Sequence, residues 1–268
     1  MRLLARLDWL YRDATQAAWA KAQNLGWTPI DSAHWCWQRR LVTLMDHTDH
    51  YLGLRRGDDW MTRHLRVEGQ WPEPETAAWL ATFHWGTGYW GLRHLKANGV
   101  KAHALVSALD PSHYAGQSVL FAYAKSRTQH VADALGTSTL EINSTLRPVL
   151  KALKSKEALI ALPDVPADQA AASMPVSLLG RTVWVPRGMF RLAVEHRIPV
   201  WFNYFDLDLV TGQRTLVIRA LGVFDDQQVL ARALFAELQS LIERRPAFWH
   251  LWAQADRFIQ NPQAPLTA

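Results

Sequence analysis

Cysteine is almost missing from this 268-residue chain, where Cys36 stands alone. A disulfide framework within the chain and a cysteine-rich zinc site are both excluded, and the composition suits a reducing compartment. Long apolar runs are missing too. No window of about 18 uncharged apolar residues occurs, so no helix is expected to span a bilayer. The sequence does not open on a basic, apolar and small-residue succession, so no signal peptide is expected. It contains no internal repeat and no low-complexity segment. It has no RNP, zinc-finger or helix-turn-helix signature, and no nucleic-acid partner is expected. Gly86-Thr87-Gly88 is too short for a dinucleotide or phosphate fingerprint, and no Lys-Ser/Thr follows it, so no cofactor is expected. The Ser173 segment, AASMP, is not a G-x-S-x-G elbow, which argues against an acyl-serine intermediate.

What is present describes a folded chain with two unusual features. Hydrophobic residues make up 49% and charged residues 20%, ordinary for a globular protein with a sizeable core. Of its 14 tryptophans, most fall in the first third of the sequence. Lys and Arg number 29 against 24 Asp and Glu, a net charge of +5. Tryptophan favours surfaces that are apolar on one side and wet on the other. Positive charge favours anionic lipid, nucleic acid or an acidic protein.

The chain reads as one unit with an N-terminal helical part over 1–75 and an α/β core over 77–258. In the first 25 residues Leu3, Leu4, Leu7, Leu10, Tyr11, Ala14 and Ala18 recur at helical spacing, with Arg2, Arg6 and Arg12 largely off that stripe. Two fates are open to such a helix, lying in a membrane interface or packing on its own domain. A second helical region covers 32–64, and the stretch 69–74 reads as a loop. From Ala77 short apolar runs alternate with helical patterns. Strands are expected over 77–83, 102–108, 158–163, 200–205 and 215–221. Helices are expected over 90–98, 116–135, 146–154, 187–196 and 228–244. The alternation predicts an α/β fold with a mostly parallel sheet flanked by helices. The tail from Asn261 is expected to fray.

The apolar run ending in His84 carries the chemistry. The carboxyl ends of strands in open α/β sheets are where ligands bind, and a histidine there can take a proton near neutral pH. Asp164 likewise follows an apolar run, LIALP, so two parallel strands would deliver both residues to one edge. Glu141 is a weaker candidate, and Glu157 precedes its strand and should lie at the opposite edge. DHTDH (46–50) places His47 and His50 three apart without a third ligand at a recognisable spacing. It reads as a solvated helix face, and no metal site is expected. His94, His103, His113 and His130 are scattered and carry no assignment.

Four segments in order, FHWGTGYWGLRHLKANG, LRPVLKALKSKEALIALPDVPADQ, VSLLGRTVWVPRGMFRLAVEHRIPVWF and RRPAFWHLWAQADRF, resemble the lipid A biosynthesis (late) acyltransferase family. That family is related to the glycerol-phosphate and lysophospholipid acyltransferases. The resemblance implies transfer of an acyl chain from an acyl-carrier-protein or coenzyme A thioester to a hydroxyl of a lipid or glycolipid. It also implies a peripheral protein on the cytoplasmic face of the inner membrane, meeting an anionic surface. In the family a carboxylate follows the histidine by five positions; here that position is Tyr89, which can hydrogen-bond but supplies no charge. Three readings follow: another carboxylate substitutes, with Asp164 preferred; the histidine works with weaker support; or the chain is a catalytically silent lipid-binding relative. A thioesterase-like hydrolase using the same base is a further alternative. Gly86 and Gly88 are expected to let backbone approach the substrate closely, and Tyr89 beside them is counted with the substrate-binding residues. By the resemblance Arg187 and Gly188 sit where the family binds acceptor or stabilises the oxyanion, at a helix start. Arg127 is a weaker candidate for contacting the donor's phosphate.

Overall fold

The structure, a computed structural model, describes residues 1–24, 27, 31–107, 109, 111–142, 145–166, 168, 170 and 172–259. The predicted tail from Asn261, and the last residue of the strand predicted over 102–108, lie outside the described residues, as does the side chain of His113. The core is α/β, with a seven-stranded sheet. In chain order the strands are β1 (Leu65–Glu68), β2 (Trp79–Ala81), β3 (Ala102–Val106), β4 (Leu140–Glu141), β5 (Ala158–Ala161), β6 (Ser173–Leu178), β7 (Arg181–Pro186), β8 (Val200–Leu207) and β9 (Arg214–Gly222). The sheet order is β1-β9-β8-β2-β5-β3-β4, while β6 and β7 form a separate antiparallel hairpin. Pairing in the large sheet is parallel except between β8 and β9.

β2 lies at the centre, and every residue of it is buried. A strand covered by helices on both faces has no polar side to show, so it reads as a continuous apolar run. β5 is built the same way, and all four of its residues are buried.

The helices are α1 (Arg12–Asn24), α2 (Ser32–Arg55), α3 (Asp58–His64), α4 (Tyr89–Ala97), α5 (Ser118–Leu135), α6 (Arg147–Lys154), α7 (Gly188–Glu195), α8 (Gln227–Arg244) and α9 (Ala255–Ile259). Asp31 caps α2 by accepting from the His34 N–H, and Asp226 caps α8 through Val229, each satisfying an otherwise orphaned donor. The helical region predicted over 32–64 is two helices, with Arg56 and Gly57 between α2 and α3.

The amphipathic helix predicted over residues 1–25 is corrected. Only a short 3-10 turn, Leu4–Arg6, precedes α1, and Tyr11 adopts φ +54° between them. A non-glycine residue in that left-handed region ends helical continuity. α1 buries Thr15, Ala18 and Ala22 against its own domain, and Leu3, Leu4, Leu7 and Trp9 are left exposed on the irregular segment before it.

Candidate active site

Strand register brings the predicted pair together. Ala81 of β2 is level with Ala161 of β5. His84 and Asp164 each lie three residues further on, at the carboxyl edge of the sheet. His84 Nδ1 donates to Asp164 Oδ1 at 3.0 Å, and the His84 backbone N–H donates to Oδ2 at 2.9 Å. Asp164 is fully buried, whereas the His84 side chain keeps 38% of its surface exposed. One imidazole nitrogen is thus held by the carboxylate while Nε2 is left for a substrate. This is the orientation a general base needs.

The indole of Trp249 donates to Asp164 Oδ2 at 2.9 Å. Three N–H groups therefore meet one buried carboxylate, which keeps it satisfied without exposing it to water. Burial lowers the His84 pKa, but the charge and hydrogen bonds of Asp164 outweigh it, so the net shift is upward; the Arg127 charge works against this rise.

The segment carrying Trp249 clamps the loop that carries His84. The Gly86 N–H donates to Phe248 O (3.0 Å), the His250 N–H donates to His84 O (2.7 Å), and His250 Nε2 donates to Gly86 O (2.7 Å). Gly86 sits at φ +55°, and a Cβ there would lie 3.1 Å from Phe205 O. From α2, Arg39 donates to the carbonyls of Ala247 (3.2 Å), Trp249 (2.9 Å) and His250 (3.0 Å). Burial lowers the His250 imidazole to about 4, helped by the Arg39 charge, so it stays neutral at neutral pH.

The solvated-face reading of residues 46–50 is corrected. Asp46, Asp49 and His50 are buried. Asp46 pairs with Arg127 at 3.0 Å, and Asp49 takes a two-pronged bond from Arg214, whose guanidinium stacks over Trp90. Buried carboxylates need such partners, and the partners come from α5 and β9, too distant in sequence for local spacing to show. Burial by itself raises the Asp46 carboxyl, but the charge and hydrogen bond of Arg127 bring it below its ordinary value. Among the described residues no group of three or more His, Cys, Asp or Glu side chains is arranged to hold a metal ion.

The remaining predicted residues divide. Arg127, on α5, is half-exposed, bonded to Asp46 and to Tyr123 Oη (3.0 Å), and close enough to oppose charging of His84. Gly88 is exposed, and nothing would meet a Cβ there within 4 Å. Tyr89 points away from the pair: it is buried against Gly53 of α2, and its hydroxyl donates to His130 O at 3.2 Å. Arg187 and Gly188 are not brought to His84, contrary to expectation. Arg187 donates to Gln227 at the start of α8 (2.7 Å). The 18-residue helix then runs about 27 Å, at about 1.5 Å per residue, before the chain reaches Trp249. Glu141 is exposed on β4, and Glu157 binds Lys101 and His103 beneath β5, at the opposite edge as predicted.

No protein-family model matches the chain, and no curated protein matches it. Sequence reasoning missed Arg39, Trp249 and His250, and set Asp46 aside with the DHTDH stretch. The signal for Trp249 and His250 was the aromatic pair in RRPAFWHLWAQADRF; Arg39 left none.

Proposed function

We propose that this protein is an O-acyltransferase that moves an acyl chain from an acyl-carrier-protein or coenzyme A thioester to a hydroxyl of a lipid or glycolipid. The observation that carries the reading is the 3.0 Å bond between His84 Nδ1 and the buried Asp164 carboxylate at the carboxyl edge of two central parallel strands. His84 Nε2 removes the acceptor's hydroxyl proton as the oxygen attacks the thioester carbonyl. A carbon–oxygen bond forms and the carbonyl becomes a tetrahedral oxyanion. Collapse breaks the carbon–sulfur bond, and imidazolium returns the proton to the departing thiolate. Asp164 holds the required tautomer and stabilises the imidazolium between the two transfers.

In this reading Asp164 does the work of the carboxylate that Tyr89 replaces, Gly86 keeps the loop close to the substrate, and Arg127 meets the donor's phosphate. The protein acts at the cytoplasmic face of the inner membrane as a peripheral protein. Among the described residues no helix is long and apolar enough to cross a bilayer, in keeping with that placement.

The test is acyl transfer by wild-type and His84→Ala protein, with a panel of both thioester types as donors and a total membrane lipid extract as acceptor. Products are read by mass spectrometry. A new acylated lipid that disappears with His84→Ala is expected. Free acid released at one rate with and without acceptor would make the protein a hydrolase, and intact thioesters with lipid still bound would make it a binding relative.

A further inference from the structure

Large apolar side chains are exposed at the same edge of the molecule as His84. The segment before α1 exposes Leu3 (76%), Trp9 (64%), Leu4 and Leu7, while its backbone is tied to α2: Arg40 Nε donates to Ala5 O at 2.8 Å and the Trp37 indole to Arg2 O at 3.4 Å. The segment is anchored by its carbonyls and its side chains are turned outward. Met1 and Arg2 share a depression of about 380 Å³ with the β8–β9 turn, residues 208–213. That turn follows the carboxyl end of β8, which pairs in parallel with β2, so it stands beyond the level of His84. At its tip Val210 is 70% exposed. Across the edge, where α5 begins after β3, Val119 is 82% exposed.

The charge around this face selects its partner. Arg2, Arg6 and Arg12 are exposed on or beside the segment; Arg12 is paired with Asp8 at 3.4 Å, no acidic partner of Arg2 or Arg6 occurs among the described residues, and the Asp208 carboxylate of the turn accepts from the backbone N–H groups of Val210 and Thr211. Apolar side chains that enter an acyl layer, with the unpaired guanidinium groups of Arg2 and Arg6 at headgroup level, match an anionic bilayer surface. An apolar patch of this kind marks an interaction site. Because α1 is spent on its own domain, the contact is an irregular hook and a strand turn, not a helix lying flat.

We propose that residues 1–9 and the Val210 turn form one docking face for an anionic lipid surface, seating the His84 edge against the membrane. Its purpose rests on the acyl-transfer reading, since a lipid acceptor would then reach His84 from the bilayer without crossing water. Its existence does not.

Sedimentation of the full chain with phosphatidylglycerol-containing vesicles, and with pure phosphatidylcholine vesicles, reads binding with no acyl donor present. Anionic vesicles should be bound more tightly. Leu3→Glu with Trp9→Glu, and separately Val210→Glu, should each weaken that binding by about tenfold or more. Val229→Glu, an exposed apolar position at the start of α8 on the opposite edge, should change nothing. Equal binding to both vesicle types, or unchanged binding by both edge variants, overturns the proposal. So does a wild-type dimer in gel filtration that Leu3→Glu with Trp9→Glu splits, because the face would then belong to a second copy. Wild-type protein that turns over thioester but binds neither vesicle type would sink the docking face alone, and wild-type protein that binds anionic vesicles but leaves every thioester intact would sink acyl transfer alone.

Discussion

At the residue scale, the site depends on which side chain orients His84. Asp164 does so by a direct 3.0 Å bond, and Tyr89 faces the opposite way into the helical layer. Asp164→Asn should lower the plateau rate by about 10²- to 10⁴-fold, as loss of an orienting carboxylate does elsewhere. The pH profile gives a second, independent sign. His84 is active when neutral, and Asp164 raises its pKa above 6.5, so wild-type activity should climb through a midpoint above 6.5. In Asp164→Asn that midpoint should move to lower pH even as the plateau falls. Tyr89→Phe removes a buried neutral hydrogen bond; about 1 kcal/mol of stability should be lost, with the rate near wild type, in thermal unfolding and turnover assays. A collapse of activity in Tyr89→Phe, with Asp164→Asn active, would reverse the assignment. His84 and Asp164 were legible because each ends an apolar run, a local signal. The orientation of Tyr89 was not, because it is decided by the room that Gly53 leaves on α2.

At the element scale, the His84 loop is shaped by the segment at 247–250, which α2 grips in turn. Gly86 is the tightest point, with φ +55° and Phe205 O at 3.1 Å from any Cβ. Gly86→Ala should cost about 1–2 kcal/mol from the left-handed conformation alone. It should also reduce turnover, since the loop can relieve the contact only by moving His84. Arg39→Met keeps most of the side-chain volume but leaves three buried carbonyls without their donor. Unfolding in urea should show a loss of about 1–3 kcal/mol, with turnover reduced because Trp249 and His250 are no longer held. Retained stability and full activity in Arg39→Met would mean the clamp is passive.

The larger elements were readable where hydrophobic periodicity is strong. The helices expected over 90–98, 146–154 and 228–244 appear within one residue at each end. The β6–β7 hairpin was not predicted, although Met174, Val176 and Leu178 alternate inward on β6 and Val183 and Val185 do so on β7. Its turn uses Leu179 at φ +53° beside Gly180 at φ +73°, a conformation leucine rarely adopts. Local turn propensity therefore pointed elsewhere.

At the scale of the whole molecule, pH acts on groups that pull in opposite directions. His50 and His250 are both lowered to about 4, mainly by burial, with Arg127 adding to the effect on His50 and Arg39 on His250. A histidine whose folded pKa lies below its unfolded value binds fewer protons in the folded state. Between about 4 and 6.5 the unfolded chain takes up the excess, so stability rises with pH across that window and is lost as pH falls through it. His84 has the opposite sign: its stabilising contribution is complete below 6.5 and fades as pH rises through its raised pKa. Burial lowers His47 and His94 as well, so four lowered histidines oppose one raised histidine in different windows, and the fold should weaken between pH 6.5 and 4 while losing a smaller amount on the alkaline side. Urea unfolding at half-unit steps from pH 4 to 8 measures both limbs. His250→Gln cannot titrate, so it should make the acid limb shallower, with His50 and the other lowered histidines still contributing, and leave the alkaline limb alone. His84→Gln should flatten the alkaline limb and leave the acid limb alone. If His250→Gln keeps the full wild-type acid slope, the neutral, buried His250 that braces the Gly86 carbonyl is the wrong description of the clamp.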